Sequence, residues 1–474
     1  MSGTLAVELK GLTKIFESQN GVLAANAGVN LRVAKGSIHG IIGENGAGKS
    51  TAMKMLYGQY TPTEGEIWIH GQPKHWKSSQ DAIASGIGMV HQHFMLAGPY
   101  TALENILLGS TGGAFRLLDF VGSKKRLEAL AAQYSLPVNW DARIETLPVG
   151  IQQRIEILKL LYRQADILIL DEPTAVLTPQ ETQALFENLK RLKNEGKTIL
   201  IVTHKLKEVM EITDEVTVFR AGKVTGSAKT AQTSPQGLAN LMVGREVQLK
   251  IDCGAAPERG KPVLELKEPS LTVQAGEIVG IAGVEGNGQS EVIFKSWEKA
   301  CAEGLRVALI PEDRHRDGLL LERSVEENFL LGHQRSPQFS KAGWIKSQVL
   351  KARAKAAVEK FDVRPRDLDI DSGRLSGGNQ QKLIFARELE KNPQFIIAAQ
   401  PTRGVDVGAI EFIHRQILEA RNRGVGVLLI SSELDEVMAL SDRLHVLYEG
   451  KFVAEFKRGH YNEQEVGLRM GGAV

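Results

Sequence analysis

The chain has 474 residues, 42% of them hydrophobic and 24% charged, with 48 glycines. That is too long for one compact domain, and it excludes a disordered, collagen-like or disulfide-stapled chain. The 58 lysines and arginines nearly balance 56 acids, leaving a formal charge of +2, and nothing in that balance suggests wholesale binding to nucleic acid or to an anionic membrane surface. Cys253 and Cys301 form neither a CxxC pair nor a zinc spacing, so a reducing cytosol is the expected compartment. The longest apolar runs, such as Ile167–Leu170 and Val425–Ile430, are strand-sized, and the opening MSGTLAVELK lacks the apolar core of a signal peptide.

In chain order, LAVELKGLTKIF reads as strand, followed by alternating residues up to a glycine-rich turn at Gly43. The stretch from about Thr101 to Gln164 reads mainly as helix, with LEALAAQY an amphipathic piece, and is expected as a helical insertion. ADILIL and TILIVT are apolar runs bounded by turn residues and separated by helix-length periodic segments. That is the pattern of a mostly parallel sheet with crossover helices. The chain then repeats itself. Leu147, Asp166 and Leu200 open segments matched by those opening at Leu375, Gln394 and Leu428, and Met242 matches Met470. Every pair is offset by 228 positions, so the halves are duplicated domains. The expected division is a first domain at 1–245, a linker at 246–261 and a second domain at 262–474. The copies are unequal. Leu9 to Lys49 spans 40 positions and Leu266 to Gln289 only 23; Lys49 to Gln92 spans 43 and Gln289 to Glu312 only 23. The second half is therefore expected to have lost a strand or two on each side of its glycine loop.

The first half carries the chemistry. Gly43-Glu44-Asn45-Gly46-Ala47-Gly48-Lys49-Ser50, with Thr51 behind it, matches G-x-x-x-x-G-K-[ST] between the strand end IHGII and a helix-like run. Glycines there let backbone N–H groups wrap phosphates at a helix N-terminus. Lys49 would reach the β- and γ-phosphates, and the Ser50 hydroxyl would sit on Mg²⁺. Ile167–Leu170 ends in Asp171-Glu172, where Asp171 is placed for the Mg²⁺ shell and Glu172 to polarise an attacking water. His204 follows TILIVT at another strand end and can hold that water in line with Glu172; Gln92 could sense metal and water. Phe16 is either a stacking platform for an adenine ring or an ordinary core aromatic.

Together these residues resemble the ATP-binding subunits of ABC transporters, with two nucleotide-binding domains fused in one chain. The resemblance implies an α/β fold of two tandem P-loop NTPase domains, each with a mostly parallel sheet and a helical subdomain, the second abridged. It makes Gly43–Ser50 the Walker A loop, Gln92 the Q-loop residue, Asp171-Glu172 the Walker B pair and His204 the switch histidine. The family signature LSGGQ is matched closely by Leu375-Ser376-Gly377-Gly378-Asn379 and poorly by Leu147-Pro148-Val149-Gly150-Ile151. In this family two domains pair head to tail around ATP. The implied catalytic site therefore joins Lys49, Ser50, Gln92, Asp171, Glu172 and His204 to Ser376, Gly377 and Gly378, with ATP and Mg²⁺ as ligands.

The opposite site is eroded. Gln289 stands for the lysine, Ala399-Gln400 for the two carboxylates, Ser432 for the histidine, Glu312 for the glutamine and Pro148 for the signature serine. It is expected to hydrolyse nothing, and whether it binds ATP stays open. VHQHFML, LPVGIQQR, GVEGNGQSE, PEDRHRDGL and AAQPTRGVDVGA look like the ATPase of bacterial nucleoside importers; ribose- and galactose-type sugar ATPases usually keep an acidic second Walker B. The partners implied are two integral-membrane permease subunits and an extracytoplasmic solute-binding lipoprotein. The implied place is the cytoplasmic face of the membrane, held peripherally. His93–Asn105 and Arg314–Asn328 are the expected permease contacts. The charged PEDRHRDG loop could bind phosphate or a permease acid, or is alternatively a plain solvated loop. A sugar importer ATPase, a soluble twin ATPase and a non-catalytic scaffold remain as rival readings.

Overall fold

The structure, a computed structural model, describes residues 4–18, 21–92, 94–109, 119–174, 177, 179–247, 253–254, 257–284 and 286–472. Two compact units divide the chain, Met1–Glu246 and Val247–Val474. In the first, IHGIIG, ILILD and TILIVT are buried at every position, which suits strands covered on both faces. They lie in a six-stranded sheet ordered Lys223–Lys229, Glu215–Arg220, Ile38–Gly43, Thr198–Thr203, Ile167–Asp171, Ile87–Val90. Every neighbouring pair is parallel except the antiparallel edge at Lys223–Lys229. A second, antiparallel sheet is ordered Gly21–Ala34, Leu5–Ser18, Glu64–Ile69, Gln72–Lys74. Met53 and Leu56 of helix Lys49–Leu56 share one core with Leu9 and Leu31 of that sheet and with Ile41, Ile169 and Val202 of the other. The helical region comprises Ala102–Leu107, Phe120–Gln133 and Val149–Tyr162. Leu127, Ile155 and Leu158 bury its apolar faces on Val90 and Leu168. Residues 110–118 of the expected insertion lie outside the described residues.

The second unit repeats the parallel sheet strand for strand: Lys451–Lys457, Arg443–Tyr448, Ile278–Ala282, Gly426–Ser431, Phe395–Ala399, Val307–Ile310. Its register repeats too, since Ile38 lies beside Ile199 and Ile278 beside Val427. The abridgement differs on the two sides of the glycine loop. Before the loop no strand is lost. Leu5–Ser18 and Gly21–Ala34, 14 residues each, are answered by Pro262–Leu266 and Leu271–Gln274, of 5 and 4 residues. Trimming both arms of a hairpin equally leaves its register and its inward face intact. After the loop, no counterpart of Glu64–Ile69, Gln72–Lys74 or helix Ser79–Ala84 occurs among the described residues. Helix Gln289–Ala302 runs on for 14 residues, against 8 in Lys49–Leu56, and leaves Phe294 and Trp297 exposed.

In the segment expected as a linker, residues 248–252 and 255–256 lie outside the described residues. Cys253 packs onto the second unit, its thiol donating to the Ala439 carbonyl oxygen at 3.0 Å. Among the described residues, no helix is long and apolar enough to cross a membrane.

Candidate nucleotide site

The loop Gly43–Gly48 joins a fully buried strand to helix Lys49–Leu56. Gly48 caps that helix at φ +93°, and a Cβ there would lie 2.5 Å from the Ala25 carbonyl oxygen and 2.6 Å from the Asn26 amide nitrogen. Glycine is thus required by both conformation and space. Gly46, at φ +78°, has nothing within 4 Å of the same position. The loop is therefore clamped at its base and open at its crest, as a phosphate cradle must be. Asn26 is fully buried, and its amide nitrogen donates to the Gly48 carbonyl oxygen at 3.1 Å. Nothing in the sequence motif marks Asn26, because it lies on another strand.

Lys49 folds back over the loop. Its Nζ donates to the carbonyl oxygens of Gly43 at 2.7 Å and Glu44 at 3.0 Å. Burial holds its ammonium below the usual lysine range, against the pull of Glu172, Asp171 and Glu44. A desolvated cation hydrogen-bonded to neutral carbonyls is primed for an anion. Ser50 Oγ donates to Asp171 Oδ1 at 3.3 Å. Burial pushes the Asp171 carboxyl up, and the Ser50 hydrogen bond opposes that.

Glu172 is gripped on both oxygens. His204 Nδ1 meets Oε1 at 3.1 Å, and Gln92 Nε2 donates to Oε2 at 2.9 Å. Burial pushes the Glu172 carboxyl up, but the hydrogen bond and charge of His204, with Lys49 behind, outweigh it and hold the group below the ordinary range. Glu172 sits at φ +50°, a strained setting for a non-glycine residue at a strand end. The structure thus brings Lys49, Ser50, Asp171, Glu172, Gln92 and His204 together in one unit. Phe16 stands apart. Its ring meets Tyr60 edge-on at 5.4 Å, with the Lys14 ammonium 5.2 Å from its centre.

A hydroxyl and a carboxylate in contact, beside an open phosphate cradle, form a hard oxygen set of the kind Mg²⁺ takes when most of its shell comes from water and phosphate. Gln92 spends its nitrogen on Glu172, so its carbonyl is the end able to face a cation. The residues present therefore fit that ion.

The second unit keeps the scaffold and replaces the chemistry. Gln289 Nε2 donates to the Val284 carbonyl oxygen at 2.6 Å, the carbonyl that corresponds to Glu44. Gln400, at φ +46°, repeats the strained turn of Glu172. Its Oε1 accepts from Ser432 N at 3.1 Å and Oγ at 3.2 Å. A neutral amide–hydroxyl pair thus replaces the carboxylate–histidine pair. Glu312 lies 3.7 Å from Arg403. Glu285 of this loop lies outside the described residues. The helix ends also differ. Ser376 caps Gly377–Glu390, its Oγ accepting from the Asn379 backbone N–H at 3.4 Å and side-chain amide at 2.8 Å. Pro148 starts Val149–Tyr162 with no side-chain cap.

The sequence pattern of the ABC transporter family matches residues 27–175 and 266–403. The chain is 42% identical to the nucleoside import ATP-binding protein NupA of Lactococcus lactis, over 100% of this chain and 99% of that protein. It is 43% identical to the guanosine import ATP-binding protein NupO of Bacillus subtilis, over 99% and 98%. It is also 43% identical to the glucose import ATP-binding protein TsgD13 of Haloferax volcanii, over 98% and 96%.

Proposed function

The chain belongs to the ABC transporter family and is one of its energy-coupling ATPases, and from that premise we propose that it drives nucleoside uptake from a single working ATP site. The observation that carries the single site is the grip on Glu172 by His204 and Gln92 in the first half, set against the neutral Gln400–Ser432 pair in the second.

In this reading the backbone of Gly43–Gly48 wraps the phosphates of ATP, and Lys49 leaves its two carbonyls for the β- and γ-phosphate oxygens. Phe16 stacks on the adenine. Ser50, Asp171 and Gln92 hold Mg²⁺, which when bound with ATP supplies positive charge to the phosphoryl oxygens. Glu172, kept ionised, orients and polarises the water for in-line attack, and His204 fixes the carboxylate's position. Ser376, Gly377 and Gly378 complete the cage from the second half, where a helix N-terminus presents unbonded N–H groups. ATP bridging the halves closes them, and hydrolysis reopens them.

The closure acts on two permease subunits at the cytoplasmic face of the membrane, with an extracytoplasmic solute-binding lipoprotein delivering the solute. The segments at 94–105 and 314–328 are the proposed contacts; His93 of the first lies outside the described residues. Nucleosides are favoured by two of the relatives named above and by the loss of the second acidic pair at Ala399-Gln400. The glucose importer subunit, equally similar, favours a sugar as the second reading.

Vesicles holding the chain with its permeases and binding protein separate the two. ATP-dependent uptake of guanosine, with no uptake of glucose or ribose, is expected. Uptake of a sugar alone overturns the nucleoside reading.

A further inference from the structure

We infer that Arg314 is a positioning residue that holds the signature end of the second half in place for the ATP site. The inference rests on the reading above, in which Ser376, Gly377 and Gly378 complete that site. Arg314 opens a π-helical turn, Arg314–Gly318, just past strand Val307–Ile310. Asp313 caps the turn, its side chain accepting from the N–H groups of His315 at 2.9 Å and Arg316 at 3.1 Å.

The guanidinium ties three segments together. Its Nε donates to Gln380 Oε1 at 3.2 Å, its Nη1 to the Arg403 carbonyl oxygen at 2.7 Å and its Nη2 to the Gly404 carbonyl oxygen at 3.4 Å. Gln380 lies in the signature helix, and its Nε2 donates to the Ser372 carbonyl oxygen at 3.1 Å, just ahead of the motif. His315 Nε2 meets the same Gln380 Oε1 at 2.9 Å. The signature backbone itself lies against this knot. A Cβ on Gly377 would be 2.8 Å from Arg314 Nη2 and 2.9 Å from the Gly404 carbonyl oxygen. One planar, permanently charged fork thus fixes the distance between the helix tip and the loop after strand Phe395–Ala399. A lysine could not span all three acceptors.

The first half lacks the device. Phe94 stands where Arg314 does, counted from the matching strand ends Val90 and Ile310, and it packs against an apolar core. Gln152, the counterpart of Gln380, repeats that residue's amide bond, donating to the Ile144 carbonyl oxygen where Gln380 donates to Ser372, and also donates to the Leu147 carbonyl oxygen. The guanidinium is present only in the half whose signature retains its serine.

The test uses the purified full chain with Arg314→Met and Arg314→Lys. The readouts are kcat and KM for ATP, ADP affinity and the thermal unfolding midpoint. ADP lacks the γ-phosphate that the signature would meet, so its affinity reports the first half alone. Arg314→Met is expected to lower kcat/KM for ATP about tenfold or more while ADP affinity and the midpoint stay near wild type. Arg314→Lys should recover part of the loss, and it carries the same comparison should the methionine variant fail to fold. Unchanged kcat/KM in Arg314→Met, beside a dead Ser376→Arg, overturns the inference and leaves the composite site standing. A parallel fall of ADP affinity, midpoint and ATPase in both variants also overturns it, because the role is then merely structural. Full ATPase in Ser376→Arg overturns the composite site, and this inference with it.

Discussion

Glu172 and Gln400 occupy the same strained turn at the same strand end, yet one half pairs a carboxylate with a histidine and the other an amide with a hydroxyl. The difference between them is charge, so removing the charge from Glu172 is the direct test. Glu172→Gln should keep ATP bound and lower kcat about 10²- to 10⁴-fold, read by single-turnover hydrolysis; wild-type turnover would contradict the assigned role. The electrostatics give a second expectation. Burial raises the Glu172 carboxyl, but His204 and Lys49 bring it below the ordinary value. A carboxylate depressed in the folded state stabilises above its unfolded pKa, about 4.3, and loses that contribution as pH falls through the folded value. The difference in unfolding free energy between wild type and Glu172→Gln should therefore shrink as pH falls below about 4.3, through the folded value. A difference that declines already between pH 7 and 6 would mean the carboxyl is raised, with burial dominant.

At the scale of elements, the two signature helices set a serine cap against a proline start. Proline fits a helix start but offers no side-chain acceptor to the first N–H groups. Pro148→Ser should stabilise the first half by about 0.5–1 kcal/mol, a rise of roughly 1–4 °C in its thermal transition, with no gain in ATPase. The cap difference was readable in the sequence because a motif is local: Gly43–Ser50, Asp171-Glu172, His204 and Ser376–Gly378 each sit in one short run. The repeat offset likewise revealed the duplicated sheet, since apolar runs buried on both faces keep their spacing. What could not be read depends on contacts distant in the chain. Asn26 meets the loop from another strand, and the Arg314 fork joins carbonyls at 403 and 404. The spacing arithmetic gave the length missing before Gln289 but not its form. Paired strands can shorten together without disappearing, and only pairing partners show which occurred.

At the scale of the whole molecule, the duplicated scaffold persists while the second half has lost the lysine, the acids, the histidine and the glutamine, and the first half its signature serine. These losses are concerted rather than single. Gln289 folds onto the Val284 carbonyl much as Lys49 folds onto Glu44, and Gln400 and Ser432 satisfy one another. The Gln289 and Gln400–Ser432 replacements complete neutral hydrogen-bonded arrangements, so neither leaves a buried charge seeking a partner. Restoring two groups should not rebuild the site. Gln289→Lys with Gln400→Glu returns the lysine and the acid, but Ser432 cannot hold the carboxylate as His204 does, Glu312 adds negative charge near incoming phosphates, and Pro148 presents no serine. In a Lys49→Ala background, which silences the first site, this double change is expected to show no ATPase above the Lys49→Ala chain alone, measured by phosphate release. Turnover well above that background would mean that charge at two positions suffices, and the chain would then hold two latent engines instead of one.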